Sequence, residues 1–385
     1  KKLKNKMLNI LINLKVIFSA IFIKIKKFYY KNYDPYLPLP KKLFLSPSSK
    51  ITEEYRYSLL KMSYLNSKID PLKWQNIARK KLSEISGYEE KRKKTTISLL
   101  CNEKRITNKL YRRKVYLKLS LNSDVPINLI YKKPLKKNLS VFIYLAGSTS
   151  GAHIGWGETK VPIDHQRIHI GADMAKQAAE KGYLALTFEQ AGYGERLERI
   201  LKKKSASRTI DFANHLLLLG KSLMGNGSSE ISSVIDWLCS DNKLYKINKN
   251  NIYIYGHSAG GTLAQYVSAL DQRIKVTLAS GSVGPIRETI GVRGCGGGDG
   301  IIPGFLKWFD TNDILSLIAP RVFIGLSGDR DHIFPYSGVK KVVTKAKPIY
   351  KKLNASNNLI SIKTKGKHQY YSREAWEALE KYISP

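Results

Sequence analysis

The sequence predicts an α/β fold, a mainly parallel central sheet with helices on both faces, preceded by an N-terminal helical extension. Three observations predict it. From about Thr107 onward, short apolar runs ended by turn residues alternate with helix-like stretches, the order a parallel sheet needs because each crossover returns the chain along a sheet face. One junction, "NIYIYGHSAGGTLAQYV", holds Ser258 between Gly256 and Gly260, with an apolar run before it and an amphipathic run after it. Two later runs end in acids and in a histidine, "GLSGDRDHIFP" and "KTKGKHQYY". Polar chemistry thus gathers beyond the carboxyl ends of strands, where open parallel sheets build their sites.

Residues 1–34, "KKLKNKMLNILINLKVIFSAIFIKIKKFYYKNYD", are apolar from Met7 to Ile25 and basic on both sides. On a helix advancing about 100° per residue, Lys6, Asn9, Asn13, Ala20, Lys24 and Lys27 share a narrow stripe and leave a wide apolar face. The segment reads as a membrane-surface helix or uncleaved anchor. A signal peptide would want an uninterrupted apolar core without "KIKK" after it, and a docked soluble helix is the third reading. A cytoplasmic or membrane-associated location is expected over export.

Residues 35–105 form a linker and helical extension. "DPYLPLPKKLFLSPSS" is punctuated by proline. "IDPLKWQNIARKKLSEISG" is then bounded as a helix by Asp70 as N-cap, Pro71 in the first turn and Gly87 as the stop. The basic joint "EEKRKKT" follows.

Residues 106–385 are the expected catalytic domain. "RKVYLKLSL" and "VPINLIYKK" read as an antiparallel opening pair, followed by strands at "SVFIYLAG", "YLALTFEQ", "NIYIYG", "IKVTLASG", "RVFIGLSGD" and "NLISIKTKG". Helices are expected at "IGADMAKQAAEKG", "SEISSVIDWLCS", "GTLAQYVSALD" and "SREAWEALEKYI".

Composition excludes some functions and leaves others open. A chain of 385 residues that is 43% apolar can bury a large core. The formal charge of +36 would suit an anionic partner, but the lysines are spread from Lys1 to Lys381 and read as compositional bias rather than a binding stripe. Zinc-finger spacing, RNP-type motifs and sustained heptads are all missing, so nucleic acid is not the expected partner. Cys101, Cys239 and Cys295 are too few and too scattered for a disulfide framework or zinc site, and Cys295 in "GVRGCGGGDG" reads as a bystander thiol. His153, His165, His169 and His215 lack metal-ligand spacing, and neither a metal nor an organic cofactor is implied.

The chemistry centres on Ser258. In a strand-turn-helix G-x-S-x-G, the glycines allow a sharp turn and close helix packing, which lifts the serine hydroxyl at the sheet edge over a helix N-terminus that favours negative charge. A serine hydroxyl is weakly acidic and needs an imidazole to take its proton, which in turn needs a carboxylate to fix its tautomer. Asp331 and His368 follow in the order Ser, acid, His. Asp329 is the rival acid, two residues earlier. The N–H of Ala259, directly after the nucleophile, is one oxyanion donor. His257 is expected to pack under the turn, and His332, Trp156 and Trp308 are candidates for the pocket wall.

From about Trp74 to the C-terminus, "YLAGSTSG", "KGYLALTFEQAGYGER", "LLLLGKSLMG", "GHSAGGTLAQYVSALDQRI", "LSLIAPRVFIGLSGDRDHIFP" and "KGKH" resemble the alpha/beta-hydrolase superfamily, and within it the dienelactone-hydrolase and acetyl-xylan-esterase-like branch. The resemblance implies a serine carboxylic-ester hydrolase with Ser258, Asp331 and His368 as its triad. It implies the N–H of Ser148 as second oxyanion donor, in an "AGS" that replaces the usual His-Gly pair. Dienelactone hydrolases use cysteine where this chain has Ser258, which points to ester hydrolysis. A short acyl group, acetyl on a carbohydrate or small molecule, is what the resemblance implies as substrate. A serine peptidase or acyltransferase shares the same acyl-enzyme chemistry, and a non-catalytic module binding membrane or polyanion is the rival of a different class.

Overall fold

A computed structural model describes residues 38–203, 209–240, 244–293 and 300–385. The segment 1–34 and Cys295 lie outside the described residues. Among the described residues no helix is long and apolar enough to cross a membrane. The chain divides into two units, 1–51 and 52–385. The described part of the first is proline-punctuated and solvent-facing, with Leu43, Phe44 and Leu45 exposed.

The second unit is built on one sheet of ten strands: β1 (Thr96–Leu100), β2 (Lys104–Arg105), β3 (Leu110–Ser120), β4 (Ser123–Lys132), β5 (Leu139–Leu145), β6 (Leu184–Phe188), β7 (Ile247–His257), β8 (Ile274–Ser280), β9 (Val322–Gly328) and β10 (Leu359–Thr364). Their order is β1-β3-β4-β6-β5-β7-β8-β9-β10, with β2 on β3. The ladders from β1 through β4 to β6 are antiparallel, and every ladder from β6 through β5 to β10 is parallel. The expected opening pair is β3 and β4, and the six apolar runs after it are β5 to β10.

β5 and β6 are buried along their whole length, as strands covered on both faces must be. One face carries helices α1 (Pro71–Ser86), α3 (Leu223–Cys239), α4 (Ala259–Leu270), α5 (Thr311–Ile318) and α6 (Tyr336–Lys352); the other carries α2 (Met174–Lys181) and α7 (Ser372–Leu379). α1 is the helix read between Asp70 and Gly87. The Asp70 carboxylate accepts from the N–H groups of Leu72 and Lys73 at 3.0 and 3.1 Å, a cap that stabilises by about 1 kcal/mol. Gly87 ends the helix at φ 72°. Its buried face is tied down by polar contacts as well, with Gln75 donating to Ser316 O and Ala319 O and Arg79 to Ala269 O and Leu317 O. Together with β1 and β2, α1 packs in the same body as the strands after residue 106.

Sequence order fixes where a ligand can enter. The chain passes from β5 to β6 on one side, then returns to place β7 on the other. Such a reversal opens a crevice between the carboxyl ends of the two strands flanking it. In the β5/β7 register, Leu145 is level with Gly256. The loops after both strands therefore emerge side by side.

Candidate active site

Ser258 occupies the one-residue turn between β7 and α4, at φ 52° and ψ −122°. A non-glycine residue held there carries strain of about 1–3 kcal/mol. It is held because its N–H donates to Ser280 O at 2.8 Å while its carbonyl accepts the first helical bond from Thr262 N at 2.9 Å. The flanking glycines serve close approach: a Cβ on Gly256 would lie 2.2 Å from Gly260 O, and one on Gly260 2.3 Å from Leu145 O. Helix α4 could not sit so near β5 and β7 with any larger residue.

His368 lies in the loop between β10 and α7, and its two ring nitrogens face different partners. Nε2 is 3.0 Å from Ser258 Oγ, and Nδ1 is 2.8 Å from Asp331 Oδ2. An ionised carboxylate can only accept, so the proton sits on Nδ1 and Nε2 is free to accept from the serine hydroxyl. Asp331, just past β9, is buried, and its other oxygen accepts from the N–H groups of Ile333 and Phe334, both at 2.8 Å. Burial raises its pKa, but the hydrogen bonds from His368 and the two amides outweigh that, and the net shift is downward. The carboxylate thus stays charged where an imidazolium would need it.

Asp329 has a different occupation. It accepts from Gly366 N at 3.0 Å, while the backbone N–H groups of Asp329 and Arg330 bond to Thr364 O and Gly366 O. It fastens the β9 loop to the β10 loop and does not meet His368. His257 is buried under the turn as expected, its ring 4.1 Å from that of Tyr370 and 5.1 Å from that of His368. Burial drives its pKa down to about 3, helped by the charge of His368, so it packs as a neutral ring.

Beside Ser258 is a cavity of about 340 Å³ whose lining includes Ser148 and Ala259. Ala259 starts α4, where first-turn N–H groups have no helical partner. Gly147 brings the Ser148 loop against Ser258, since a Cβ there would touch Ser258 Cβ at 3.1 Å. Trp156 and Trp308 do not join the cavity wall: Trp156 is buried against Arg112 and donates to Glu158, and Trp308 lies under Lys61 and Lys81. Both are large rings whose contacts with cations pull them elsewhere. His332 is exposed, 6.5 Å from the His368 ring, and is not part of the wall either.

A support system that sequence reasoning missed comes from the loop after β6. Gln190 Nε2 donates to Ala146 O at 2.6 Å, Tyr193 OH donates to Ser148 Oγ at 3.1 Å, and Glu189 Oε1 accepts from Ala152 N at 2.9 Å. Arg196 anchors this loop through Glu189 O and a bidentate pair with Glu230, both contacts 2.7 Å. The signal was available. β6 also ends at the carboxyl edge, next to β5, so "EQAGYGER" had to reach the Ser148 loop.

This sheet order, with a serine on the turn after β7 and an acid and histidine after β9 and β10, defines an alpha/beta-hydrolase. Residues 55–343 match the Abhydrolase family model, and the chain belongs to that family. It is 26% identical over 274 residues, 71% of this chain and 86% of the relative, to YtaP of Bacillus subtilis (strain 168), a protein provisionally named a hydrolase. Among solved structures it resembles a Bacteroides fragilis NCTC 9343 protein provisionally described as an acetyl xylan esterase, at 18% identity and TM-score 0.66, covering 84% of this chain and 83% of that one. It also resembles a glucuronoyl esterase from Solibacter usitatus, at 15% identity and TM-score 0.59, covering 84% and 97%. At these identities the structural likenesses speak for the fold.

Proposed function

We propose that the chain is a serine carboxylic-ester hydrolase working through an acyl-enzyme. The observation that carries this is His368 bridging Ser258 and Asp331 through separate nitrogens, at 3.0 and 2.8 Å. Ser258 Oγ attacks the ester carbonyl as its proton passes to His368 Nε2, and Asp331 stabilises the imidazolium through Nδ1–H. The carbonyl oxygen becomes an oxyanion held by the N–H groups of Ala259 and Ser148. Collapse expels the alkoxide, which leaves as an alcohol with the proton from Nε2. Water then gives a proton to His368 and adds to the acyl-enzyme, releasing the acid and restoring Ser258.

Within the superfamily we place the chain near the acetyl-xylan-esterase-like branch, a reading supported by the Bacteroides fragilis neighbour. The substrate is then a small-molecule or carbohydrate ester, the sugar being the alcohol part. Hydrolysis of p-nitrophenyl acetate, blocked by a fluorophosphonate that labels Ser258, tests the reading. A pure, folded protein that neither turns over esters nor takes the label refutes it.

A further inference from the structure

We infer that the 340 Å³ cavity is an acyl pocket selecting an apolar acyl group several carbons longer than acetyl; this rests on the esterase reading above. The side of the ester it receives follows from which residues it touches. Ser258, Ala259 and Ser148 line it and His368 does not. The leaving alcohol must stand at His368 Nε2 to collect its proton, so the group reaching away from His368 into the cavity is the acyl part.

Its chemistry follows from the walls. Met224, Tyr266, Ile286, Ile314, Ile333 and Phe334 supply apolar surface, and among the described lining residues there is no Asp, Glu, Lys, Arg or His. Four of the polar side chains that line it direct their hydrogens at protein carbonyls. Thr311 Oγ1 donates to Gly284 O at 2.7 Å, Thr289 Oγ1 to Pro285 O at 2.9 Å and Thr262 Oγ1 to Ser258 O at 3.4 Å. Both N–H bonds of the buried Gln265 amide are directed at Gly261 O and Ser282 O, at 3.2 and 3.1 Å. Among the described lining residues a charged acyl group would find no counter-ion, and a polyhydroxylated one would exchange its water for few polar groups, Gln265 Oε1 and the hydroxyls of Tyr266, Ser148 and Ser282. A glucuronoyl group, which is a sugar acid, is therefore a poor fit, although a glucuronoyl esterase shares the fold.

Size completes the case. At roughly 30 Å³ for a water-sized group, the cavity has room for about ten such groups. An acetyl methyl would leave most of it empty. Each further methylene that enters should raise kcat/KM roughly three- to four-fold.

The test is a series of p-nitrophenyl esters from acetate to decanoate, with a benzyl ester of glucuronic acid, alongside labelling rates for alkyl fluorophosphonates of matching chain length. The expected result is kcat/KM and labelling rate rising from two carbons to a maximum at about six to eight, with the glucuronate ester far below. Ile286→Trp and, independently, Met224→Trp fill the cavity and should lower the hexanoate-to-acetate ratio by roughly tenfold. A native series that is flat or falls beyond acetate overturns the pocket assignment while leaving the esterase reading standing. So does a preference for the glucuronate ester. Absence of turnover and of Ser258 labelling overturns the esterase reading and the inference with it.

Discussion

Among the described residues two clusters bring together serine, histidine and aspartate, and they are wired differently. In the first, His368 spends Nδ1 on Asp331 and Nε2 on Ser258. In the second, His153 Nε2 meets both Asp164 Oδ2 at 2.9 Å and Ser150 Oγ at 3.0 Å, while Ser150 itself donates to Asp164 Oδ1 at 2.5 Å. There the carboxylate has taken the serine proton's direction, and no ring nitrogen stands between acid and hydroxyl. His153 and Asp164 are fully buried, and Asp164 further accepts the N–H groups of Lys160 and Val161 at 3.0 and 3.1 Å. The same three kinds of side chain are strung through separate ring nitrogens in one place and gathered on one carboxylate, within the 150–164 loop, in the other. Composition of a cluster says little; the division of the two imidazole nitrogens decides.

The largest effect that can break this contrast is loss of the first hydroxyl. Ser258→Ala should lower kcat by about 10⁴-fold or more while the fold persists, read by ester hydrolysis beside circular dichroism. Ser150→Ala should retain most of the activity. Equal losses in the two variants would show that wiring is the wrong criterion.

Next in size is the acid. Asp331→Asn removes the charge facing Nδ1 and favours the wrong tautomer, at a cost of roughly 10³- to 10⁴-fold in kcat. Asp329→Asn touches only the Gly366 contact and should change kcat little. A ranking in the opposite order would transfer the role to Asp329.

Much of this architecture is legible in the sequence, for local reasons. Alternating apolar runs mark β3 to β10, and the Ser258 turn announces itself because Gly256 and Gly260 are needed wherever a helix crowds two strands. Other features depend on contacts distant in sequence. β1 is hidden in the lysine-rich stretch after "EEKRKKT", and its five residues are all exposed, with no buried alternation to betray them. Helix α6 is equally hard to read: "YSGVKKVVTKAKPIYKK" carries Pro348 inside it, which reads as a breaker until burial of Val339, Val342, Val343, Ala346 and Ile349 overrides it. The Glu189, Gln190 and Tyr193 contacts to the Ser148 loop can be found only from strand adjacency. The cluster at Asp164 has no sequence signature, because it depends on how one loop folds back on itself.

Asp164→Asn sharpens the comparison from the other side. It places an amide N–H₂ where the carboxylate had accepted several donors, so unfolding free energy should fall by about 3 kcal/mol. At a temperature where the variant is folded, kcat should drop far less than in Ser258→Ala. Denaturant titration and ester hydrolysis on the same sample separate the two. A stable but inactive variant would mean that the second cluster acts in chemistry.

The last predicted effect concerns pH and sets Asp331 against Glu189, the carboxyl under the Ser148 loop, because their shifts differ in sign. Burial leads the causes acting on Asp331 upward, but its hydrogen bonds leave it below the ordinary carboxylate range. Its stabilisation is therefore present above the unfolded pKa and lost as pH falls. Glu189, under the Ser148 loop, goes the other way. Burial raises it to about 7, only partly opposed by the N–H groups of Ala152 and Glu195, with the charge of Glu195 pushing up and that of Lys160 pushing down. From the ordinary 4.5 to about 7, the folded chain holds a proton that the unfolded chain has released. Stability from this group is complete below the lower value and gone above the upper one. Glu189→Gln has no such proton and still accepts from Ala152 N. Relative to the native protein, its unfolding free energy should therefore improve by up to about 3 kcal/mol between pH 4.5 and pH 8. Urea titrations of both proteins across that window measure it. A difference that does not change with pH would mean that the Glu189 carboxyl is ionised throughout, and that the Ser148 loop rests on a charged acceptor rather than on a neutral one.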